Sequence, residues 1–121
     1  MKWEEYKEQI KKALDAFEFD KEILNVLKNS IKNGQTIFVG GNGGSAAISQ
    51  HYVCDLSKGA NKDWSINFKR YKAICLSNNL SYMTAISNDE HYDDVFKQQL
   101  INLAEPNDIL ILINVGVTFF L

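Results

Sequence analysis

The 121-residue sequence has little of what marks secreted, membrane or nucleic-acid-binding proteins. Its two cysteines, Cys54 and Cys75, fit neither a paired metal motif nor a disulfide framework. The longest apolar run, Ile109 to Ile113, is far too short to cross a bilayer, and the first residues lack the apolar core of a secretory signal. The formal net charge of −2 gives no general attraction to nucleic acid or to anionic lipid. These absences predict a cytoplasmic protein whose partners include neither nucleic acid nor a membrane.

The composition is that of an ordinary globular domain. Hydrophobic residues make up 45% and charged residues 23% of the chain, so enough apolar surface is present to offset the chain entropy lost on folding. No internal repeat and no low-complexity linker divides the sequence. We therefore expect a single domain over residues 1–121.

The first 33 residues predict a pair of amphipathic helices. One side of the first helix is apolar at three- and four-residue steps, at Trp3, Tyr6, Ile10, Leu14 and Phe17. Asp20 is a candidate N-cap for the second helix, and Asn33-Gly34 is a C-cap signal. Such a pair packs either on its own domain or on another subunit. The apolar stripe of the first helix leads us to expect self-association.

Residues 35–121 predict a parallel α/β core. Three short apolar runs read as buried strands: Thr36 to Val39, Ala73 to Leu76, and Ile109 to Ile113. Helical patterns separate them, from Ala46 to about Leu56, from Ser81 to Ile86 and from Tyr92 to Leu103. Apolar strands alternating with helices indicate a parallel sheet covered on both faces, a three-layer α/β sandwich. Three strands with an apolar tail lead us to expect a fold that is incomplete at the C-terminus.

A glycine-rich loop links the first strand to the next helix. Gly41-Asn42-Gly43-Gly44-Ser45-Ala46 formally matches the dinucleotide fingerprint, yet the second strand ends in Leu76-Ser77-Asn78-Asn79, without the acidic residue that would hold a ribose. The Gly-Lys-Ser/Thr of nucleotide hydrolases is also absent. The loop therefore favours another anionic or polyhydroxy ligand, bound at the helix N-terminus. A tight turn that binds nothing is the alternative.

Two further pairs of polar residues are candidates for chemistry. His51 and Asp55 are four residues apart and share one helix face, so they could ligate a metal ion, orient each other in proton transfer, or form a mere surface contact. Asn88 and Asp89 either cap the start of the next helix or lie at the carboxyl side of the sheet, where open α/β folds bind ligands.

Together these motifs resemble the phosphoheptose isomerases of the SIS (sugar isomerase) family. The resemblance rests on Gly41 to Ala47, Gln50-His51, Asp55-Leu56, Thr84 to Asp89 with Tyr92 and Val95 to Gln99, and Asn107 to Leu110. It implies a flavodoxin-like SIS fold and a cytoplasmic homotetramer, commonly with zinc. It also implies conversion of sedoheptulose 7-phosphate to an aldoheptose 7-phosphate for lipopolysaccharide or capsule heptose.

The resemblance also implies roles for individual residues. The loop from Asn42 through Gly43 and Gly44 to Ser45 would contact the sugar phosphate, as would Asn88 and Asp89. His51 would be a zinc ligand. Asp55 stands where the family has a Glu that ligates zinc, contacts substrate and acts as general base. The shorter Asp side chain would draw the carboxylate back by about 1.5 Å, one carbon–carbon bond.

Two departures from the family pattern lower the expected activity. The family follows its third strand with a serine-rich phosphate loop, where this sequence has Asn114-Val115-Gly116-Val117-Thr118. The family's later Gln and His, which complete the metal site, have no counterpart here. We expect a truncated or frame-disrupted copy without measurable isomerisation on its own. The alternatives are a non-catalytic phosphosugar-binding SIS module and a structural subunit that joins intact paralogues through its N-terminal helices.

Overall fold

A computed structural model describes residues 1–115, which fold into five α-helices and three β-strands. The helices are α1 (Trp3–Asp15), α2 (Lys21–Asn33), α3 (Gly44–Cys54), α4 (Leu80–Asp89) and α5 (Val95–Leu103). The strands are β1 (Thr36–Gly41), β2 (Lys72–Cys75) and β3 (Ile109–Ile113). A π-helical turn (Asp55–Gly59) continues α3, and short 3-10 turns (Leu76–Asn78 and Tyr92–Asp94) precede α4 and α5.

The three strands form one parallel sheet in the order β2-β1-β3. In this register Val39 of the central strand lies between Cys75 and Ile111. Helices connect the strands, as parallel neighbours require. The parallel α/β sheet predicted from the apolar runs is therefore confirmed.

Both faces of the sheet are covered because side chains alternate along β1. Phe38 packs with Leu76, Val95 and Phe96 beneath α4 and α5. Ile37 and Val39 point the other way. They pack with Leu56 and with partly buried side chains of α2 and α3, including Leu27 and Tyr52. The three-layer arrangement that we expected is present.

The helix ends follow the local signals in the sequence. The Asp20 carboxylate accepts a hydrogen bond from the backbone N–H of Glu22 at 2.9 Å, which caps α2. Gly34 ends the same helix with a left-handed φ of 69°, a conformation that favours glycine. By contrast α1 has no buried residue, and Trp3 and Leu14 on its apolar stripe are 66% and 69% exposed. No helix within residues 1–115 has the length and apolar character needed to cross a bilayer.

Several predicted boundaries need correction. Asn88 and Asp89 are the last two residues of α4, so the hypothesis that either caps the start of the next helix is wrong. The helix runs three residues past the predicted end at Ile86, and the backbone N–H of Glu90 donates to the Ile86 carbonyl at 2.9 Å where it ends. Leu103, the last residue of the predicted helix from Tyr92, is half exposed at the end of α5.

The segment after β3 is described only in part. Asn114 and Val115 are exposed, and residues 116–121 lie outside the described part of the chain. The apolar tail and most of the segment that replaces the serine-rich loop fall there.

Candidate functional site

The candidate site starts at the carboxyl end of β1, where the glycine loop (Gly41–Ser45) leaves the sheet. The N–H of Gly41 donates to the Ser77 hydroxyl oxygen at 3.1 Å, and that hydroxyl donates to the Gly41 carbonyl at 2.6 Å. Regular β1–β2 pairing ends at Val39 and Cys75, so one side chain continues the ladder where the backbone of β2 turns away. Ser77 therefore holds the start of the loop in place.

The loop has a tight base and an open mouth. A Cβ on Gly41 would lie 2.6 Å from the carbonyl oxygen of Ser45 and 2.9 Å from that of Ile113, so no larger residue fits. Gly43 has a φ of 56°, in the left-handed region that favours glycine. Among residues 1–115, a Cβ on Gly44 would meet no atom within 4 Å. These residues therefore leave the space in front of Gly44 open to a ligand.

A tyrosine from a distant segment holds the loop's asparagine. The Tyr92 hydroxyl donates a 2.6 Å hydrogen bond to Oδ1 of Asn42, across 50 residues of sequence. The spacing of the sequence did not predict that Tyr92 would bond to Asn42 or that Ser77 would bond to Gly41. The only signals were the position of Ser77 at the end of the second strand and the occurrence of Tyr92 in the family motif.

Only some of the residues predicted to contact substrate lie at the open side of the glycine loop. Asn42, Gly43 and Gly44 are exposed at the mouth of the loop, whereas Ser45 is only 5% exposed and its N–H donates to the Asn42 carbonyl. Asn88 and Asp89 bond to each other through Nδ2 and Oδ1, at 2.9 Å. Within residues 1–115 neither hydrogen-bonds to the loop. Tyr92, three residues beyond Asp89, is the residue of this segment that reaches it.

One outward face of α3 continues from the loop. Gly44, Ile48, His51 and Asp55 follow at steps of four, three and four residues, and we call this row the α3 stripe. His51 Nε2 lies 3.5 Å from Asp55 Oδ2, and the two side chains are 79% and 62% exposed. Three residues of the stripe, Ile48, His51 and Asp55, line a shallow concavity of about 490 Å³ together with Ala47 and Tyr52. The structure therefore brings His51 and Asp55 together, as the four-residue spacing predicts.

The pair is only part of a metal site. Imidazole and carboxylate are both zinc ligands, but a catalytic zinc takes three from the protein. Within the described chain no three His, Cys, Asp or Glu side chains converge as a metal site would need. Cys54 beside the pair is exposed and Cys75 is buried in the core. Residues 1–115 by themselves do not fit zinc.

Comparison with known proteins points to one family. A family model described as the SIS domain matches residues 4–116. A probable phosphoheptose isomerase of Thermoplasma acidophilum is 40% identical over 89 residues, which cover 74% of this chain and 47% of that protein. The phosphoheptose isomerase of Helicobacter pylori is 36% identical over 107 residues, 88% of this chain and 54% of that protein.

Solved structures agree with the sequence comparisons. The structure of a phosphoheptose isomerase from Neisseria gonorrhoeae superposes with a TM-score of 0.65 at 29% identity, over 76% of this chain and 45% of that one. One from Francisella tularensis gives the same TM-score at 26% identity, over 76% and 46%. The chain spans about half the length of the relatives that it matches.

Proposed function

Because this chain belongs to the SIS domain family and has the SIS fold, we propose that its site is that of a phosphoheptose isomerase. The substrate would be sedoheptulose 7-phosphate, converted to an aldoheptose 7-phosphate. The observation that carries the proposal is the continuity of the open glycine loop with the α3 stripe. A loop suited to a sugar phosphate leads directly to an imidazole and a carboxylate that touch each other.

The loop offers donors to an anionic, hydroxyl-rich ligand. Among residues 1–115 the N–H groups of Ser45, Ala46 and Ala47 already donate to the carbonyls of Asn42 and Gly43. The N–H of Gly44 and the partial positive charge of the helix dipole are therefore what the start of α3 offers to an anion. Tyr92 occupies Oδ1 of Asn42, so the amide NH₂ of Asn42 is the end left to donate to a phosphate or hydroxyl oxygen. The bare Gly44 lets a ligand approach the backbone closely.

The length of the substrate matches the length of the stripe. A phosphorylated seven-carbon chain has about eight bonds of about 1.5 Å from phosphorus to its far carbon, so its zigzag reaches about 10 Å. Gly44 and His51 are also about 10 Å apart along the helix axis, at 1.5 Å per residue. A phosphate at the loop would therefore place the carbonyl end beside His51. Helical side chains lean toward the N-terminus, which brings the Asp55 carboxylate to the same level.

The reaction needs a base at this position. Isomerisation removes a proton from the carbon next to the ketose carbonyl and returns it to the neighbouring carbon, through an enediol. The Asp55 carboxylate would take and return that proton, and His51 at 3.5 Å would orient it. A binding module has no need of this pair, which favours catalysis over simple sugar-phosphate binding.

Zinc, which the resemblance implies, is a separate proposal. His51 and Asp55 would be two of its ligands, and at least one more would have to come from outside residues 1–115. No step above depends on the metal. With two ligands and one base among the described residues, we propose that the 121-residue chain binds the sugar phosphate without turning it over alone.

The biological setting also follows from the resemblance. We propose a cytoplasmic protein that serves heptose synthesis for lipopolysaccharide or capsule. We further propose a homo-oligomer, a tetramer as in the family, that covers the apolar stripe of α1. The exposure of Trp3 and Leu14 on α1, and of Phe17 just beyond its end, supports that assembly, because side chains of this size rarely lie together in water.

The proposal is tested with the purified chain, sedoheptulose 7-phosphate and added zinc. We expect calorimetry to show binding of the sugar phosphate and weaker or no binding of unphosphorylated sedoheptulose. We expect no aldoheptose phosphate to form. Equal affinity for the two sugars would contradict the assignment of the loop, and turnover lost in His51→Ala would show that the described residues suffice for catalysis.

A further inference from the structure

A second concavity lies at the opposite end of the sheet from the glycine loop. It has a volume of about 380 Å³, within the range of small-molecule sites. Its lining consists of Ile31, Lys32, Asn33, Gly34, Lys69, Arg70 and Lys72. It lies at the amino end of β1 and β2, about 17 Å from the glycine loop by the rise of five strand residues. We call its four cationic side chains, with the space between them, the basic cavity.

The charge of this cavity is the reverse of that of the whole chain. The chain carries a formal net charge of −2, yet four cations and no carboxylate line the basic cavity. Every ion pair among residues 1–115 lies elsewhere, so none of the four has a carboxylate within 4.0 Å. Among the residues that the structure describes, these cations have no protein anion to balance them.

The end of α2 explains only part of this charge. Lys32 lies in the last turn of that helix, and Lys72 Nζ donates to the carbonyl oxygen of Gly34 at 3.2 Å. Cations stabilise a helix C-terminus, but its dipole is equivalent to only about half a negative charge. Half a charge cannot balance four cations, so most of the positive charge remains for a ligand.

Two of the cations are held in position before any ligand arrives. The Arg70 guanidinium carbon lies 4.8 Å from the centre of the Trp64 ring, and Arg70 is half-buried. Lys72 is tied to Gly34 by its hydrogen bond. Lys72 is nevertheless exposed, as are Lys32 and Lys69. A partly fixed set of donors lowers the ordering cost of binding.

We propose that the basic cavity binds a diphosphate group, either free pyrophosphate or that of a nucleoside diphosphate. A diphosphate presents several negative charges along a short rod of oxygens, which matches several cations around one cavity. The guanidinium fork of Arg70 suits two oxygens of one phosphate, and lysines act as point charges for the others. The proposal does not depend on the isomerase assignment, because the two sites lie at opposite ends of the sheet.

Calorimetric titration of the whole chain with pyrophosphate tests the proposal. We expect binding that weakens as salt rises from low to physiological ionic strength, where the Debye length is about 8 Å. Lys69→Gln should weaken it about threefold to tenfold, the effect of removing one solvent-accessible charged contact. Lys21→Gln is the matched control, since it makes the same charge change on α2 about 16 Å from Lys32. It should leave the affinity unchanged, and both variants should keep the parent melting temperature.

Three results would overturn the proposal. One is the absence of heat at millimolar pyrophosphate, and another is an equal loss of affinity in Lys69→Gln and Lys21→Gln, which would reveal non-specific attraction. The third is binding that survives Lys69→Gln but is lost in Gly44→Ala, because the ligand would then occupy the glycine loop. A parallel titration with ADP identifies the source. Affinity at least equal to that of pyrophosphate would support a nucleoside diphosphate, and much weaker affinity would support free pyrophosphate.

Discussion

Replacement of Gly44 by alanine separates the role of the loop in binding from its role in folding. A Cβ at this position meets no atom of residues 1–115 within 4 Å, so among these residues the methyl group enters only the space in front of α3. Gly44 is the first residue of that helix, and alanine is the better helix former by up to about 1 kcal/mol. The variant should therefore fold with unchanged or slightly raised stability.

The affinity for the sugar phosphate should fall, whereas the stability stays the same or rises. If a sugar phosphate approaches the backbone at Gly44, the added methyl group overpacks the contact, at a cost of about 1 to 3 kcal/mol. At 1.4 kcal/mol per factor of ten, the affinity for sedoheptulose 7-phosphate should fall about fivefold to 140-fold. Isothermal titration calorimetry measures this loss, and thermal unfolding measures the stability.

The two neighbouring strand glycines are matched controls for this substitution. A Cβ on Gly40 lies 3.5 Å from Leu112 and Phe96, an ordinary contact on the core side, so Gly40→Ala should change neither affinity nor stability by more than about 1 kcal/mol. A Cβ on Gly41 lies 2.6 Å from a backbone oxygen, so Gly41→Ala should lose about 3 kcal/mol or more of unfolding free energy. A folded Gly44→Ala with parent affinity would refute the assignment of the loop as the binding site.

Further predictions concern the contacts around the loop, the α3 stripe and α1. Tyr92→Phe removes the hydrogen bond to Asn42 and should cost about 0.5 to 1.5 kcal/mol in stability, with weaker sugar-phosphate binding by calorimetry; unchanged values for both would show that the bond does not order the loop. His51→Ala should change the unfolding free energy by less than about 0.5 kcal/mol, because the pair is exposed, while any zinc that binds the parent chain in equilibrium dialysis should bind less tightly. Leu14→Glu should shift the mass in sedimentation from oligomer toward monomer, since it charges the apolar stripe of α1, and a strictly monomeric parent chain at micromolar concentration would contradict self-association. If the chain shows any turnover, Asp55→Glu, which restores the reach of the family's glutamate, should raise the rate and Asp55→Asn should abolish it; equal non-zero rates in the two variants would exclude this carboxylate as the base.

Much of the fold could be predicted from the sequence because its signals are local. A buried strand shows itself as an apolar run, as Ile109–Ile113 does, and helix ends depend on single residues such as Asp20 and Gly34. The glycine loop and the shared face of His51 and Asp55 follow in the same way from spacing along one strand–loop–helix unit. For these features the geometry is set within a few residues, so sequence spacing is sufficient.

The remaining features depend on which elements become neighbours in space. Ser77 reaches Gly41 only because β2 pairs with β1 in one particular register, and Tyr92 reaches Asn42 only because the chain returns past the loop after α4. The basic cavity likewise joins the end of α2 to residues 69–72, which lie more than 30 positions further along the chain. Contacts between residues so far apart in the chain produce no periodic pattern or motif from which the sequence could predict them. The packing of the sheet and its helices alone decides them.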